Sequence, residues 1–221
     1  MPFVITLDGP AAAGKSSVGL GAARELGFGY FDTGLLYRAL TWLALVRRVD
    51  IDDADALTRL VDELHIELDP SGRLLHAGRD ITDELQQPQI DAAVSPVSAH
   101  PNVRQAMRAA QRALIRPPGL VMAGRDIGTV IVPEAPLKIW LNASPEVRAQ
   151  RRAKQTGEPF ESVLAGVRRR DQLDASRAVA PMTPATDAVT LETDELSPEE
   201  VIARIVRLAR ARGAAPILDR A

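Results

Sequence analysis

Gly9-Pro10-Ala11-Ala12-Ala13-Gly14-Lys15-Ser16 is the stretch that decides the fold. It matches G-x-x-x-x-G-K-[ST] in full, and its flanks supply the context the pattern needs. The apolar, β-rich run 3–7 precedes it, and residues 15–26 follow with apolar side chains at helical spacing until Gly27 stops them. In a strand-loop-helix of this kind the glycines let backbone N–H groups turn inward around phosphate oxygens, and the helix N-terminus adds its partial positive charge. Lys15 is placed to reach the β and γ phosphates of a nucleoside triphosphate, and Ser16 to ligate Mg2+. Gly9, Pro10, Ala11, Ala12, Ala13, Gly14, Lys15, Ser16 and Ser17 are therefore the expected ATP-binding residues. A chance Gly-rich turn before an ordinary helix is the competing reading, and both flanks count against it.

Outward from the loop the chain alternates. Gly29-Tyr30-Phe31-Asp32 reads as a second short strand, and Thr33-Gly34 opens an apolar helix over 35–46, which predicts an α/β fold with a parallel sheet. Asp52-Asp53 cap a helix reaching Leu64. Residues 65–69 and 73–77 then read as strands around the turn Pro70-Ser71-Gly72, a hairpin out of step with the βα rhythm. With the polar stretch that follows, this places a small inserted substrate-binding subdomain at about 62–95. After His100-Pro101, residues 103–115 form an Arg-rich helix closed by Pro117-Pro118-Gly119, and 120–123 and 137–141 are strand candidates. Two Arg-rich helices, 145–156 and 160–176, flank the hinge Gly157-Glu158-Pro159 and predict a helical lid over about 145–177. A short strand at 189–191, a helix opened by Ser197-Pro198-Glu199-Glu200 and reaching Arg212, and a frayed tail complete the chain.

A length of 221 residues suits one core with a small insertion rather than two full-sized domains, so 1–221 is expected to be a single domain. The net charge of -2 exerts no global pull toward nucleic acid or anionic lipid. Aromatics make up 4% of the chain and do not interleave with the arginines of 148–177, which counts against a nucleic-acid module. The absence of cysteine removes disulfides and thiolate chemistry, and the three histidines lack metal-ligand spacing. No stretch approaches a membrane span and no basic leader precedes the first strand, so a cytoplasmic protein is expected. Trp42 and Trp140 sit in apolar runs and are expected in the core.

GTP switches, ATP-driven motors and small-molecule kinases all carry a P-loop. Here no Asn-Lys-x-Asp guanine-reading motif occurs, and strand 137–141 ends in Asn142 where a motor-type ATPase usually places an acid. Three more segments follow the P-loop: Asp32-Thr33-Gly34-Leu35-Leu36-Tyr37-Arg38, Gly124-Arg125-Asp126-Ile127-Gly128-Thr129, and Arg170-Asp171-Gln172-Leu173-Asp174-Ala175-Ser176-Arg177-Ala178-Val179-Ala180-Pro181. With these the chain resembles the bacterial cytidylate kinase family over nearly its whole length. The resemblance implies a P-loop nucleoside monophosphate kinase fold, a monomer, and ATP with Mg2+ as donor to CMP or dCMP. A kinase of another nucleoside monophosphate, such as UMP, is the alternative, with a non-kinase P-loop GTP/ATP-binding switch ranked behind it.

The resemblance also implies roles. The family's counterparts of Thr33, Tyr37 and Arg38 bind the acceptor nucleotide, with the arginine on its phosphate. Those of Ser95, Arg104 and Asp126 read the cytosine ring, and that of Arg125 holds phosphate. Those of Arg170 and Asp174 meet the ribose, and that of Arg177 closes on the phosphates. Lys15, Arg125, Arg170 and Arg177 are thus the expected catalytic set. Elementary chemistry agrees, because phosphoryl transfer needs positioning and charge neutralisation more than covalent catalysis. Arg170, Asp174 and Arg177, at i, i+4 and i+7, would share one helix face. Arg148, Arg151, Arg152, Arg168 and Arg169 stay open between contact with ATP and a solvated basic face. The main departure is Ala123, where the family usually carries an acid that supports the magnesium. Either Ser16 and phosphate oxygens hold the metal with help from Asp8, or its affinity is weakened. Thr33 keeps the hydroxyl where relatives often have Ser, and Leu173 and Ala175 replace arginines found in some relatives.

Overall fold

A computed structural model describes residues 2–68, 73–175 and 182–215, with only the backbone of Leu68, Leu173 and Asp174. The expected hairpin turn at 70–72, Arg177 and the tail from 216 onward lie outside the described residues. The elements run β1 (Phe3–Asp8), α1 (Lys15–Leu26), β2 (Gly29–Asp32), α2 (Gly34–Arg47), α3 (Ala54–Asp62), β3 (Ile66–Leu68), β4 (Leu74–His76), β5 (Arg79–Asp80), α4 (Pro88–Ala99), α5 (Pro101–Ala113), β6 (Gly119–Gly124), β7 (Leu137–Asn142), α6 (Pro145–Thr156), α7 (Phe160–Ala175), β8 (Val189–Glu192) and α8 (Pro198–Ala211). They divide into two compact units, one of residues 32–114 and one of the flanking segments 1–31 and 115–221. None of these helices is long and apolar enough to cross a membrane.

The flanking unit is built on a five-stranded sheet in the order β2-β6-β1-β7-β8. β1 pairs in parallel with β6 and β7, setting Ile5 opposite Val121 and Leu137. Val4, Ile5 and Leu7 are all buried, as a central strand covered on both faces requires. Val18, Ala22 and Leu26 of α1 and Val201, Ile205 and Val206 of α8 pack with Ile5, Leu7, Val121, Ile139 and Leu141 into one core. Ser197 and Glu200 form a capping box at the start of α8. Such a cap stabilises a helix by about 1 kcal/mol. After β1 the chain adds β2 and β6 on one side and then β7 and β8 on the other, so the P-loop leaves the carboxyl end of the strand where the order reverses. Open α/β sheets bind ligands at that switch point.

Among its described residues the second unit holds the three-stranded sheet β3-β4-β5 and four α-helices, and the 62–95 segment lies within its bounds. β3 and β4 are antiparallel with Ile66 opposite His76, and Asp53 caps α3 by accepting from the Ala56 N–H at 2.9 Å. The stretch read as polar contains α4, whose Ile90, Ala93, Val94 and Val97 form a buried face. Pro96 inside that helix hid it. α5 begins at Pro101 rather than at 103, because proline suits the first helical position. Trp42 is buried and its Nε1 donates to Glu84 Oε2 at 2.6 Å.

Candidate active site

Residues 9–14 form the loop between β1 and α1, and Lys15 folds back so that Nζ donates to the carbonyls of Gly9 and Pro10, each at 2.7 Å. Gly9 is sterically obligatory, since a Cβ there would stand 2.2 Å from the Leu141 carbonyl oxygen of β7. Backbone cannot yield to that contact, so the base of the loop is pressed against the neighbouring strand. Ser16 and Ser17 are exposed in the first turn of α1, and Ser17 Oγ donates to the Gly14 carbonyl at 2.9 Å.

The Gly124-Arg125-Asp126 motif leaves the end of β6 and enters a π-helical turn, Ile127–Ile131, which the sequence did not announce. The Asp8 carboxylate fastens that turn, accepting from the N–H of Ile127 and of Gly128, both at 2.8 Å. Gly128 is required by this approach, because a Cβ would lie 2.8 Å from Thr6 Oγ1 and 3.2 Å from Asp8 Oδ2. Asp8 is buried, and that burial pushes its carboxyl up from the ordinary 3.8 to about 6, against the opposing pull of the two N–H groups and Lys15. Arg125 is half-buried and Asp126 is buried.

In the lid segment, Ala149, Val163, Leu164 and Val167 give α6 and α7 a small core of their own. Arg148 is neither solvated nor directed outward. It is 2% exposed, its Nε donates to the Ala143 carbonyl at 2.9 Å, and Nη1 donates to the Ala11 carbonyl of the P-loop at 3.1 Å. The same guanidinium takes both oxygens of Asp171 on α7, at 3.0 and 2.5 Å. Arg151 donates to the Thr193 backbone and hydroxyl beyond β8, and Arg168 pairs with Glu146 at 2.7 Å. Three of the five arginines left open by sequence therefore have structural partners. Arg170 is exposed on α7, with Asp174 one turn further along the same helix.

In the second unit, Thr33 is buried at the start of α2, but its side chain does not cap the helix; the Asp32 carboxylate accepts from the Gly34 N–H at 2.9 Å instead. Tyr37 on α2 and Arg104 on α5, far apart in sequence, are brought together with the guanidinium carbon 5.7 Å from the ring centroid. Arg104 is 9% exposed and donates to the Ser98 carbonyl at 3.2 Å, while the carbonyl of Ser95 accepts from Ser98 Oγ at 3.1 Å. Arg38 is held by the Leu85 carbonyl at 2.7 Å and by Asp91.

The cytidylate kinase family model matches residues 5–211. The chain belongs to that family. Among curated cytidylate kinases, that of Geobacillus sp. (strain WCH70) is 45% identical over 94% of this chain and 96% of its own length. The cytidylate kinase of Geobacillus kaustophilus is 46% identical with the same coverage, and that of Mycobacterium avium is 44% identical over 95% of this chain and 96% of its own. The likeness spans both units of the chain.

In this cytidylate kinase chain, position 123 lies in the core of the sheet. Ala123 is fully buried on β6, opposite Leu7 of β1, in the core that also includes Ala13 of the P-loop. Asp8, the other acid named for the metal, accepts one backbone N–H on each of its oxygens. Among the described residues no group of three or more acidic or imidazole side chains converges as a metal site. The exposed hydroxyl of Ser16 suits a magnesium ion that keeps its waters and arrives with a nucleotide, which is the usual way that ion is bound. An apolar cavity of about 700 Å³, lined by Phe3, Val4, Phe28, Val132 and Pro136, opens at the other end of β1 and has no part in this chemistry.

Proposed function

We propose that this chain transfers the γ-phosphoryl group of ATP to CMP or dCMP, giving ADP and CDP or dCDP. The observation that carries the reading is an intact P-loop at the switch point of the sheet, in a chain 44–46% identical over 94–95% of its length to the three curated cytidylate kinases above. Family membership favours CMP over UMP as acceptor, and no second reading has a structural observation behind it.

The attacking group is a phosphate oxygen of the acceptor, already anionic near neutral pH, so no general base is needed. It bonds to the γ phosphorus as the bond to the bridging β–γ oxygen breaks, and that oxygen leaves with ADP. The protein must align the two nucleotides, screen the negative charge and exclude water. The nine residues 9–17 cradle ATP, and Lys15 exchanges its carbonyl partners for phosphate oxygens. Arg125, Arg170 and Arg177 neutralise the phosphates in flight. Thr33, Tyr37 and Arg38 hold the acceptor, Ser95, Arg104 and Asp126 read its cytosine, and Arg170 and Asp174 meet its ribose. Mg2+ supplies charge neutralisation at the β and γ phosphates when bound, and Ser16 would be its protein ligand. No membrane or nucleic-acid partner enters this reading, and the working unit is a cytoplasmic monomer.

The test is product identity. Incubation with ATP, Mg2+ and CMP, resolved by anion-exchange chromatography, should yield CDP and ADP in equal amounts. ADP accumulating with inorganic phosphate and no CDP would contradict the proposal.

A further inference from the structure

We infer that Asp91 is a built-in competitor for the acceptor's phosphate at Arg38 and thereby sets the KM for that nucleotide. The inference rests on the role proposed above for Arg38.

The Arg38 side chain is 21% exposed and is held on two sides. Its Nη1 donates to the carbonyl of Leu85, a residue with no exposed surface, at 2.7 Å. Its Nη2 is paired with Oδ1 of Asp91, in the first turn of α4, whose side chain is 54% exposed. The two holds differ in kind. The carbonyl is a neutral, fixed anchor that keeps the guanidinium in place whatever else binds. The carboxylate is a half-exposed surface anion, and it engages the group through the same charge-assisted hydrogen bond that a phosphate oxygen would make.

An incoming phosphate must either take Nη2 from Asp91 or bind beside a carboxylate that remains. In the first case the ion pair has to break, and in the second a dianion meets a like charge at close range. Both raise the KM of the acceptor. Neither acts on cytidine, which carries no phosphate. Since the Leu85 carbonyl still orients Arg38, loss of the carboxylate frees the fork without losing its position.

Asp91→Asn keeps the shape and removes the charge, whereas Asp91→Glu keeps the charge. The Asn variant should lower the KM for CMP about two- to fivefold, the size expected of one partly exposed charge pair, with the change carried by KM rather than kcat. The Glu variant should retain the wild-type KM, and the inhibition constant of cytidine should be the same in all three proteins. A KM for CMP that is unchanged or higher in Asp91→Asn would overturn the inference, as would a parallel shift in cytidine inhibition, which would make Asp91 an orienting group for Arg38. Wild-type protein that forms no CDP would instead remove the kinase reading itself, and the inference with it.

Discussion

Arg148 and Asp171 form a two-bonded ion pair, Nη1 to Oδ1 at 3.0 Å and Nη2 to Oδ2 at 2.5 Å, and Nη1 also reaches the Ala11 carbonyl. One side chain, 3% exposed, thus ties both lid helices to the P-loop. Arg148→Lys keeps the charge but cannot present the planar fork. Stability should fall by about 1–3 kcal/mol, as expected when a buried polar network loses members. The KM for ATP should rise several-fold, because the lid loses its register on the loop. Urea midpoints and steady-state kinetics check both, and a variant matching wild type in each would show the network to be incidental.

Asp8 makes stability depend on pH in an unusual sense. Its folded-state carboxyl is raised from 3.8 to about 6, so between those values the native protein holds a proton that the unfolded chain has released. Stability from this group is therefore fully present below the unfolded value, falls as pH rises through the window, and levels off above it, a loss of about 3 kcal/mol. Asp8→Asn should remove that slope while adding a pH-independent penalty of about 1–3 kcal/mol, because an amide cannot accept from both Ile127 and Gly128. Urea unfolding of the two proteins at pH 4 to 7 measures the difference. A gap between them that stays constant across the range would contradict the assignment.

Ala123→Asp places a carboxylate at a fully buried position of β6. The Mg2+ concentration giving half-maximal rate should fall, and thermal stability without metal should fall too, since an unpaired carboxylate is costly to bury. An unchanged or higher magnesium requirement would show that the position has no part in supporting the metal.

Gly9→Ala and Gly14→Ala both place alanine at a positive φ, +146 and +87, but only the first adds a clash. A Cβ at Gly9 would meet the Leu141 carbonyl oxygen at 2.2 Å, whereas at Gly14 the nearest atom is Ser17 Oγ at 3.8 Å. Gly14 has φ +87, so its alanine variant bears a left-handed strain of about 1–2 kcal/mol without a clash. Gly9→Ala should lose clearly more in a chemical denaturation series. Equal losses would mean that the loop can lift away from β7.

The strand, loop and helix around the P-loop were legible because motif, periodicity and breakers agreed within 26 residues, and the capping box at Ser197 and Glu200 was legible for the same reason. α4 was not, because Pro96 and its polar neighbours masked a real Ile90, Ala93, Val94, Val97 stripe. The π-helical turn Ile127–Ile131 is too short to carry a period. The roles of Arg148 and Asp91 depend on partners 137 and 53 residues away, Ala11 and Arg38 respectively. Nothing local distinguishes Arg148 from Arg151 or Arg152, so only tertiary placement shows that one of them is buried and binds the P-loop.

An ADP-release assay across CMP, dCMP, UMP, AMP and GMP at fixed ATP and Mg2+ tests the identity of the acceptor most directly. Turnover should be fastest with CMP or dCMP, slower with UMP and weakest with the purine nucleotides. ADP formation that does not depend on any acceptor, or that is fastest with AMP or GMP, would contradict the account.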